Sequence, residues 1–166
     1  MVKSNLLLGI YAIINRNVCS SLFKNMRGEI NLEAWEAAYL AGIIDGEGSI
    51  TLTRMHESEH RRPCITISST DMELLVYIQS VTGGTINNKK NYKPGYHKDS
   101  YTLNIKTKSI VINLLNHIYP YLRVDKKKRR ARWILDNYEK VTPRNGKYNT
   151  DRLKKKLQFE EAFFNL

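Results

Sequence analysis

The sequence predicts one α+β domain built on an antiparallel sheet, and three observations lead to this prediction. Short runs with β-type alternation come in two pairs, and helical segments surround them. The connections within both pairs are polar and charged, as expected of exposed hairpin tips joining antiparallel neighbours. Hydrophobic residues make up 42% of the 166 residues, which is enough for one packed core and excludes a disordered basic chain.

The first predicted element is a helix that has Asn31 as its N-cap and ends near Asp45, where glycines interrupt the pattern. Apolar residues recur along it at helical spacing, namely Leu32, Trp35, Tyr39 and Ile43. We expect Trp35, like Trp133 in a later helix, to belong to the core rather than to a stacking surface.

Two strands follow, predicted over Ser49–Met55 and Pro63–Ser68, with successive side chains on opposite faces. Thr70 and Glu73 have the spacing of a capping box and therefore open a second helix, which a Gly-Gly pair ends.

A second strand pair is predicted over about Thr85–Lys89 and Ser100–Lys106. Helices then follow over about Ser109–Ile118, Lys128–Glu139 and Thr150–Phe164. The predicted order is therefore α-β-β-α-β-β-α with additional C-terminal helices, and the helices pack on one face of the sheet.

Residues 31–166 form the predicted domain, and residues 1–30 form an N-terminal extension. Residues 1–28 lack Asp and Glu and resemble an organellar transit segment, although a flexible or loosely helical extension explains the composition equally well.

Two cysteines cannot form a disulfide framework, so we expect an intracellular setting, either a mitochondrion or chloroplast or a prokaryotic cytoplasm. No run of about 18 apolar residues occurs, so we expect no membrane partner.

The formal net charge of +11 is concentrated near the C-terminus, where residues 120–166 hold 14 of the 27 Lys and Arg residues. Phosphate backbones attract such clusters through counterion release, which favours a nucleic-acid partner. A solvated helix face or a localisation signal would have the same composition.

One face of the predicted sheet carries small hydrogen-bonding side chains, which suit either a solvated face or a β-ribbon in a DNA major groove. The candidates on this face are Thr51, Thr53, Thr66, Ser68, Asn87, Lys89, Ser100, Thr102 and Asn104. Four cations complete the candidate DNA-binding residues, namely Arg61, Arg62, Lys128 and Arg129.

The most specific segment is residues 40–49, which read Leu-Ala-Gly-Ile-Ile-Asp-Gly-Glu-Gly-Ser. Small Ala41 and Gly42 would let another backbone approach the helix closely, and Glu47 is held at the helix rim. A carboxylate beside exposed backbone carbonyls is a suitable ligand set for Mg²⁺, although the acids of this turn could instead only cap it.

This segment resembles the signature of the LAGLIDADG homing endonucleases, with six of nine positions identical. The resemblance implies that family's fold, in which an antiparallel sheet forms a saddle over DNA. It also implies that Glu47 binds a divalent metal, Mg²⁺ or Mn²⁺, with the Gly46 carbonyl as second ligand. Asp45 resembles the structural acid of the same turn.

The sequence contains one copy of the motif, as in relatives that act as homodimers. The resemblance therefore implies a two-fold axis between motif helices and a nearly palindromic target. The predicted dimer interface consists of Tyr39, Leu40, Ala41, Gly42 and Ile43.

Two further catalytic positions are implied by the resemblance. A polar residue after the second strand matches Asp71, which could equally be a first-turn acid of the next helix. A pocket lysine follows a Pro-aromatic-Leu stretch in relatives, and direct register places Asp125 there, whereas a two-residue insertion places Lys127 there. We favour Lys127, with Lys126 as the second choice.

The predicted function is site-specific, Mg²⁺-dependent cleavage of double-stranded DNA by an enzyme encoded in a mobile intron or intein. The alternative is a binding protein on the same fold, either a maturase that holds intron RNA or a transcription regulator that has lost cleavage. The basic run from Lys126 to Arg130 and the departure at Asp125 motivate the alternative, since extra charge aids backbone binding without aiding catalysis. The motif acid is present, so the nuclease remains the leading prediction.

Overall fold

The computed structural model describes residues 30–54, 56–57, 59–93, 96–143 and 147–166, within which the chain forms five α-helices, four strands and one short 3-10 helix. In chain order these are α1 (Ala34–Glu47), β1 (Gly48–Thr53), β2 (Arg62–Ser69), α2 (Met72–Thr82), β3 (Thr85–Asn88), β4 (Tyr101–Ile105), α3 (Lys108–Ile118), the 3-10 helix (Tyr119–Tyr121), α4 (Asp125–Val141) and α5 (Thr150–Phe164). The predicted α+β class and element order are confirmed. Except for Ile30, the predicted extension lies outside the described residues.

A capping box made by Glu33 and Glu36 starts α1, and the prediction of Asn31 as the N-cap is wrong. The backbone N–H of Glu33 donates to the Glu36 carboxylate at 3.0 Å. The residues of this helix that face inward are Ala37, Leu40, Ala41 and Ile44. Trp35 consequently points outward and is 65% exposed, so its predicted core position is wrong.

The N-cap of α2 is Asp71 rather than Thr70 of the predicted capping box. The Asp71 carboxylate accepts from the backbone N–H groups of Glu73 at 3.0 Å and Leu74 at 3.3 Å. Two of the donors that a helix start leaves without intrahelical partners are satisfied in this way.

The sheet is antiparallel throughout, with strand order β1-β2-β4-β3. Ile50 and Leu52 are buried on its inner face, whereas Thr51 between them faces outward, in register with Cys64 of β2. Because side chains alternate along each strand, the register carries this division across all four strands.

Helices cover the inner face of the sheet and form a single core with it. α2 packs on β2, β3 and β4, α3 packs on β2 and α1, and α4 contacts β1 and α3. Among the residues that the structure describes, no helix is long and apolar enough to cross a membrane.

The C-terminal helix α5 packs on α4 and buries a lysine, Lys156, that has no exposed surface. Its ammonium group donates to the carbonyl of Arg61 at 3.0 Å and to the hydroxyl of Thr142 at 3.4 Å. The ammonium also lies 4.3 Å from the centre of the Tyr138 ring. Burial lowers the pKa of Lys156 from 10.5 to about 8, and the nearby Glu160 carboxylate partly opposes this shift.

The depressed pKa of Lys156 predicts that stability rises with pH between about pH 8 and pH 10.5. In this interval the unfolded chain holds a proton that the folded chain has released, so the free energy of unfolding increases with pH. We expect Lys156→Met to remove this rise, which is at most on the order of 3 kcal/mol. Urea denaturation at a series of pH values checks the prediction.

The exposed neighbour Lys155 supplies the matched control, because Lys155→Met should keep the rise. The useful window ends near pH 10, where tyrosines begin to ionise; burial raises the pKa of Tyr138 and of Tyr148 above 10.0. Equal pH slopes for wild type and Lys156→Met would contradict the prediction.

Candidate active site and nucleic-acid surface

The motif places its acidic residues at the carboxyl end of α1, where the chain passes directly into β1. Glu47 is the last helical residue and is exposed. Gly48 starts β1, and a Cβ added there would lie 2.7 Å from the Cα of Ile44. A larger residue at position 48 would therefore push the strand away from the helix, so this glycine maintains the direct junction that presents Glu47.

Asp45 attaches this junction to the segment that precedes α4. Its Oδ2 accepts from the backbone N–H of Arg123 at 2.6 Å and of Val124 at 3.3 Å. The other oxygen, Oδ1, is buried and makes no hydrogen bond in the structure. A carboxylate just before a helix start is favoured both by hydrogen bonding and by the helix dipole. This contact accounts for the start of α4 at Asp125, three residues before the predicted start.

Lys127 makes the reciprocal contact from α4 back to α1. Its ammonium group donates to the carbonyls of Ile44 at 2.8 Å and Asp45 at 2.6 Å. The carbonyl end of a helix carries partial negative charge, so a cation is stabilised there. The structure therefore brings the favoured pocket lysine to the same helix end as Glu47.

The other two positions considered for the lysine are placed differently. Lys126 is exposed, and Asp125 is exposed and forms an ion pair with Arg129 at 3.0 Å on the outside of α4. Of the three, Lys127 is the residue whose side chain contacts the motif helix. Asp71 is exposed, and its carboxylate is engaged in capping α2.

The predicted polar residues of the strands do share the outer face of the sheet. Thr66 is in register with both Ser49 and Asn104, and Ser68 with Thr102. The hydroxyls of Ser68 and Thr102 lie 3.1 Å apart and form a hydrogen bond. The other outward positions in register are Thr51, Thr53, Thr85 and Asn87, and the Lys89 backbone bonds to Ser100 beyond the ends of the strands.

The four predicted cationic contacts lie outside this array of small side chains. The guanidinium of Arg61 lies 4.6 Å from the centre of the Phe164 ring, so this group faces α5. Arg62 is exposed at the start of β2 and pairs with Glu59. Lys128 and Arg129 line an open cleft of about 390 Å³ on the outer side of α4.

Aromatic and ionic groups shape that cleft. Lys128 and Arg132 both lie over the Tyr119 ring, at 5.6 and 5.8 Å from its centre. Asp136 accepts a 2.6 Å hydrogen bond from Arg132, which raises the pKa of that guanidinium further. Trp133 is half-buried and donates to the carbonyl of Phe159 at 3.2 Å, so it joins α4 to α5 and packs against the core, as predicted.

The exposed side of α1 carries aromatic side chains and small residues. Trp35 and Tyr39 are 65% and 48% exposed, and Ala38 lies between them. A Cβ added at Gly42 or Gly46 would meet nothing within 4 Å in this chain. A helix surface with small residues in its second half allows another helix to approach closely.

Two of the five predicted interface residues cannot contribute to this surface. Leu40 and Ala41 are fully buried in the chain's own core, so they have no side-chain area left for a partner. Tyr39 and Gly42 are exposed and Ile43 is half-buried. Trp35, predicted to lie in the core, is exposed on this surface, because α1 packs on the core through Ala37, Leu40 and Ile44 instead.

The donor set at the end of α1 suits a hard divalent cation. Glu47 offers a carboxylate, and the last carbonyls of a helix have no partner within the helix. Among the described residues, no group of three His, Cys, Asp or Glu side chains gathers to hold a metal. One chain thus offers oxygen ligands of the kind that Mg²⁺ prefers, namely the Glu47 carboxylate and backbone carbonyls.

The motif lies at the end of a helix that leads directly into an antiparallel sheet with a polar outer face. Residues 40–135 match the family described as LAGLIDADG endonuclease, which is more than half of the chain. The chain belongs to the LAGLIDADG endonuclease family.

A curated relative, the intron-encoded DNA endonuclease ai2b of Dictyostelium discoideum, is 26% identical over 107 residues, covering 64% of this chain and 40% of the relative. The fold resembles the homing endonuclease I-CvuI, solved in complex with DNA, with a TM-score of 0.62, 21% identity and coverage of 79% of this chain and 81% of that one. It also resembles the archaeal intron-encoded I-Vdi141I complexed with DNA, with a TM-score of 0.53, 18% identity and coverage of 81% and 85%.

The contacts at the end of α1 predict different stability effects for its two acids. Asp45→Asn should lower the free energy of unfolding by about 1 to 2 kcal/mol, because a neutral amide oxygen accepts from the N–H groups of Arg123 and Val124 more weakly than a carboxylate does. Glu47→Gln, at an exposed position, should change it by less than about 0.5 kcal/mol. Chemical denaturation of both variants checks this, and equal losses would refute the structural role of Asp45.

Proposed function

We propose that the protein is a site-specific double-strand DNA endonuclease of a mobile intron or intein, dependent on Mg²⁺ or Mn²⁺. The observation that carries the proposal is the position of Glu47 and Lys127 at one helix end, beside the polar face of the sheet. An exposed carboxylate and a fixed ammonium group at the edge of a nucleic-acid surface are suited to phosphodiester hydrolysis. Membership of an endonuclease family supports the same reaction.

Glu47 and the Gly46 carbonyl would hold the metal, which when bound supplies an activated water and stabilises the leaving 3′ oxygen. Lys127 keeps positive charge beside the scissile phosphate, and Asp45 fixes the start of α4 so that this ammonium stays in place. The hydroxyl and amide groups of the outer sheet face donate to and accept from base edges in the major groove.

Cleavage of both strands requires a second acid, and we propose that a second copy of the chain supplies it. The sequence carries one motif, and the exposed side of α1 offers Trp35, Tyr39 and the bare backbone at Gly42 to a partner helix. Two copies related by a two-fold axis would read a pseudo-palindromic target.

Cleavage tests the proposed reaction. A plasmid library carrying intron-less host loci is incubated with the protein and Mg²⁺, and discrete double-strand cuts are mapped. We expect Glu47→Gln to lower the cleavage rate at least about 100-fold while target binding measured in Ca²⁺ changes little. Since Glu47→Gln should not alter stability, its unfolding curve shows that the loss is chemical.

The absence of discrete cuts by wild-type protein across the library, or equal cutting by Glu47→Gln, would overturn the endonuclease proposal.

Lys127→Met should also slow cleavage. It removes the charge at the motif helix end, whereas Lys126→Met, at the exposed neighbour, should retain most activity.

Oligomeric state tests the shared site. Gly42→Leu fills the open space on α1, so we expect it to weaken dimerisation at least about 10-fold in sedimentation or light scattering, with loss of cleavage in proportion. Asn116→Leu, which places the same apolar side chain at an exposed position of α3, is the control and should leave the dimer intact. A wild-type chain that stays monomeric in the presence of target DNA would refute the homodimer.

The open cleft on α4 favours a second candidate, a maturase that binds intron RNA. Its Tyr119 ring lies near two cations, Lys128 and Arg132, an arrangement suited to an unpaired base and its phosphates. Splicing assistance that persists in Glu47→Gln but is lost in Tyr119→Ala, without DNA cleavage by wild type, would favour this function.

A further inference from the structure

The start of β2 is held to the C-terminal helix through both backbone polar groups of one residue, Arg61. Its N–H donates to the Glu160 carboxylate at 3.1 Å, and its carbonyl accepts from the Lys156 ammonium at 3.0 Å. Lys156 and Glu160 are one helical turn apart, so α5 presents a donor and an acceptor side by side. The two side chains therefore bind both the N–H and the carbonyl of one residue, Arg61.

Both side chains are buried, Lys156 completely and Glu160 to 5% exposure. They lie 4.0 Å apart, too long for a strong direct hydrogen bond, and their polar atoms are used on Arg61 instead. A buried ion pair contributes little net stability compared with apolar side chains of similar volume. Its effect here is to fix the position of the partner backbone, because any shift would leave buried charges without partners.

The side chain of Arg61 is fixed on the same helix. Its guanidinium lies 4.6 Å from the centre of the Phe164 ring, and its Nε lies 4.0 Å from Glu160. These contacts and the two backbone bonds form what we call the α5 clamp, composed of Arg61, Lys156, Glu160 and Phe164.

The clamp lies at the end of the β1–β2 pair that is far from the motif. At the motif end of the pair, Gly48, next to Glu47, is in register with Ile67. At the other end, Thr53 is in register with Arg62, which directly follows the clamp residue Arg61. Five residue steps along the strand separate the two ends, about 16 Å at the usual rise. The clamp therefore fixes the end of the polar sheet face that is farthest from the motif, which we call its outer end. It fixes the position and register of Arg62 with it.

We propose that the α5 clamp positions the outer end of the sheet on the target and so determines base preference at the outer base pairs, not at the cleavage centre. Lys156 and Glu160 are positioning residues in this role, and the inference rests on the proposed DNA-binding function. α5 lies beyond residues 40–135, the part of the chain that matches the family.

Base preference at each target position, measured by binding to a randomised target library in Ca²⁺, tests the proposal. We expect Lys156→Met and Glu160→Gln to reduce preference several-fold at the outer positions and to leave the central positions unchanged. Lys155→Met and Glu161→Gln, at exposed neighbours on α5, are the matched controls and should keep the wild-type profile. Amide hydrogen exchange at Arg61 should increase in the clamp variants without DNA.

A single variant could fail to fold because it leaves one buried charge without its partner. The double variant Lys156→Met with Glu160→Leu removes both charges and keeps the test valid in that case. A uniform change across all target positions would show a general loss of stability and overturn the proposal. An unchanged outer preference in folded variants would overturn it as well. Wild-type protein that binds no target would instead overturn the proposed function, and this inference with it.

Discussion

The carboxyl end of α1 and the amino end of α4 are bound to each other by complementary charges, and the rest of the site depends on this contact. The Asp45 carboxylate accepts from the backbone just before α4, and the Lys127 ammonium donates to the last turn of α1. Each helix pole therefore receives a side chain of the opposite charge from the other helix. Since β1 begins immediately after α1, the same contact also fixes where the sheet starts.

The distribution of charge has separate consequences for affinity and for chemistry. Much of the basic excess lies on the outside of α4 and α5, and part of it is neutralised locally, as in the ion pairs Asp125–Arg129 and Arg132–Asp136. Such exposed pairs contribute little to stability and leave a positive surface that suits phosphates. The half-buried Lys127 and the buried Lys156 act differently, because their ammonium groups hold backbone carbonyls in fixed positions.

Sequence periodicity predicted the elements well and their starts less well. The strands and their outer face follow from alternation, which has a period of two and tolerates small errors in the ends. Helix starts depend on single hydrogen bonds, and several residues compete for each one. Asp71 caps α2 instead of Thr70, and Glu33 starts α1 instead of Asn31. Trp35 is exposed because the helix packs on the core through Ala37, Leu40 and Ile44.

The sequence by itself determined the α+β order, the signature at the end of the first helix, and the family to which the chain belongs, because these depend on local pattern and on one specific motif. Only the tertiary structure decided which lysine meets that motif, which residues of α1 remain exposed, and what the C-terminal helix holds. Lys127 reaches residues 44 and 45, and Lys156 reaches residue 61, across more than 80 positions of chain. Contacts of that separation arise from the packing of whole helices, and no local spacing encodes them.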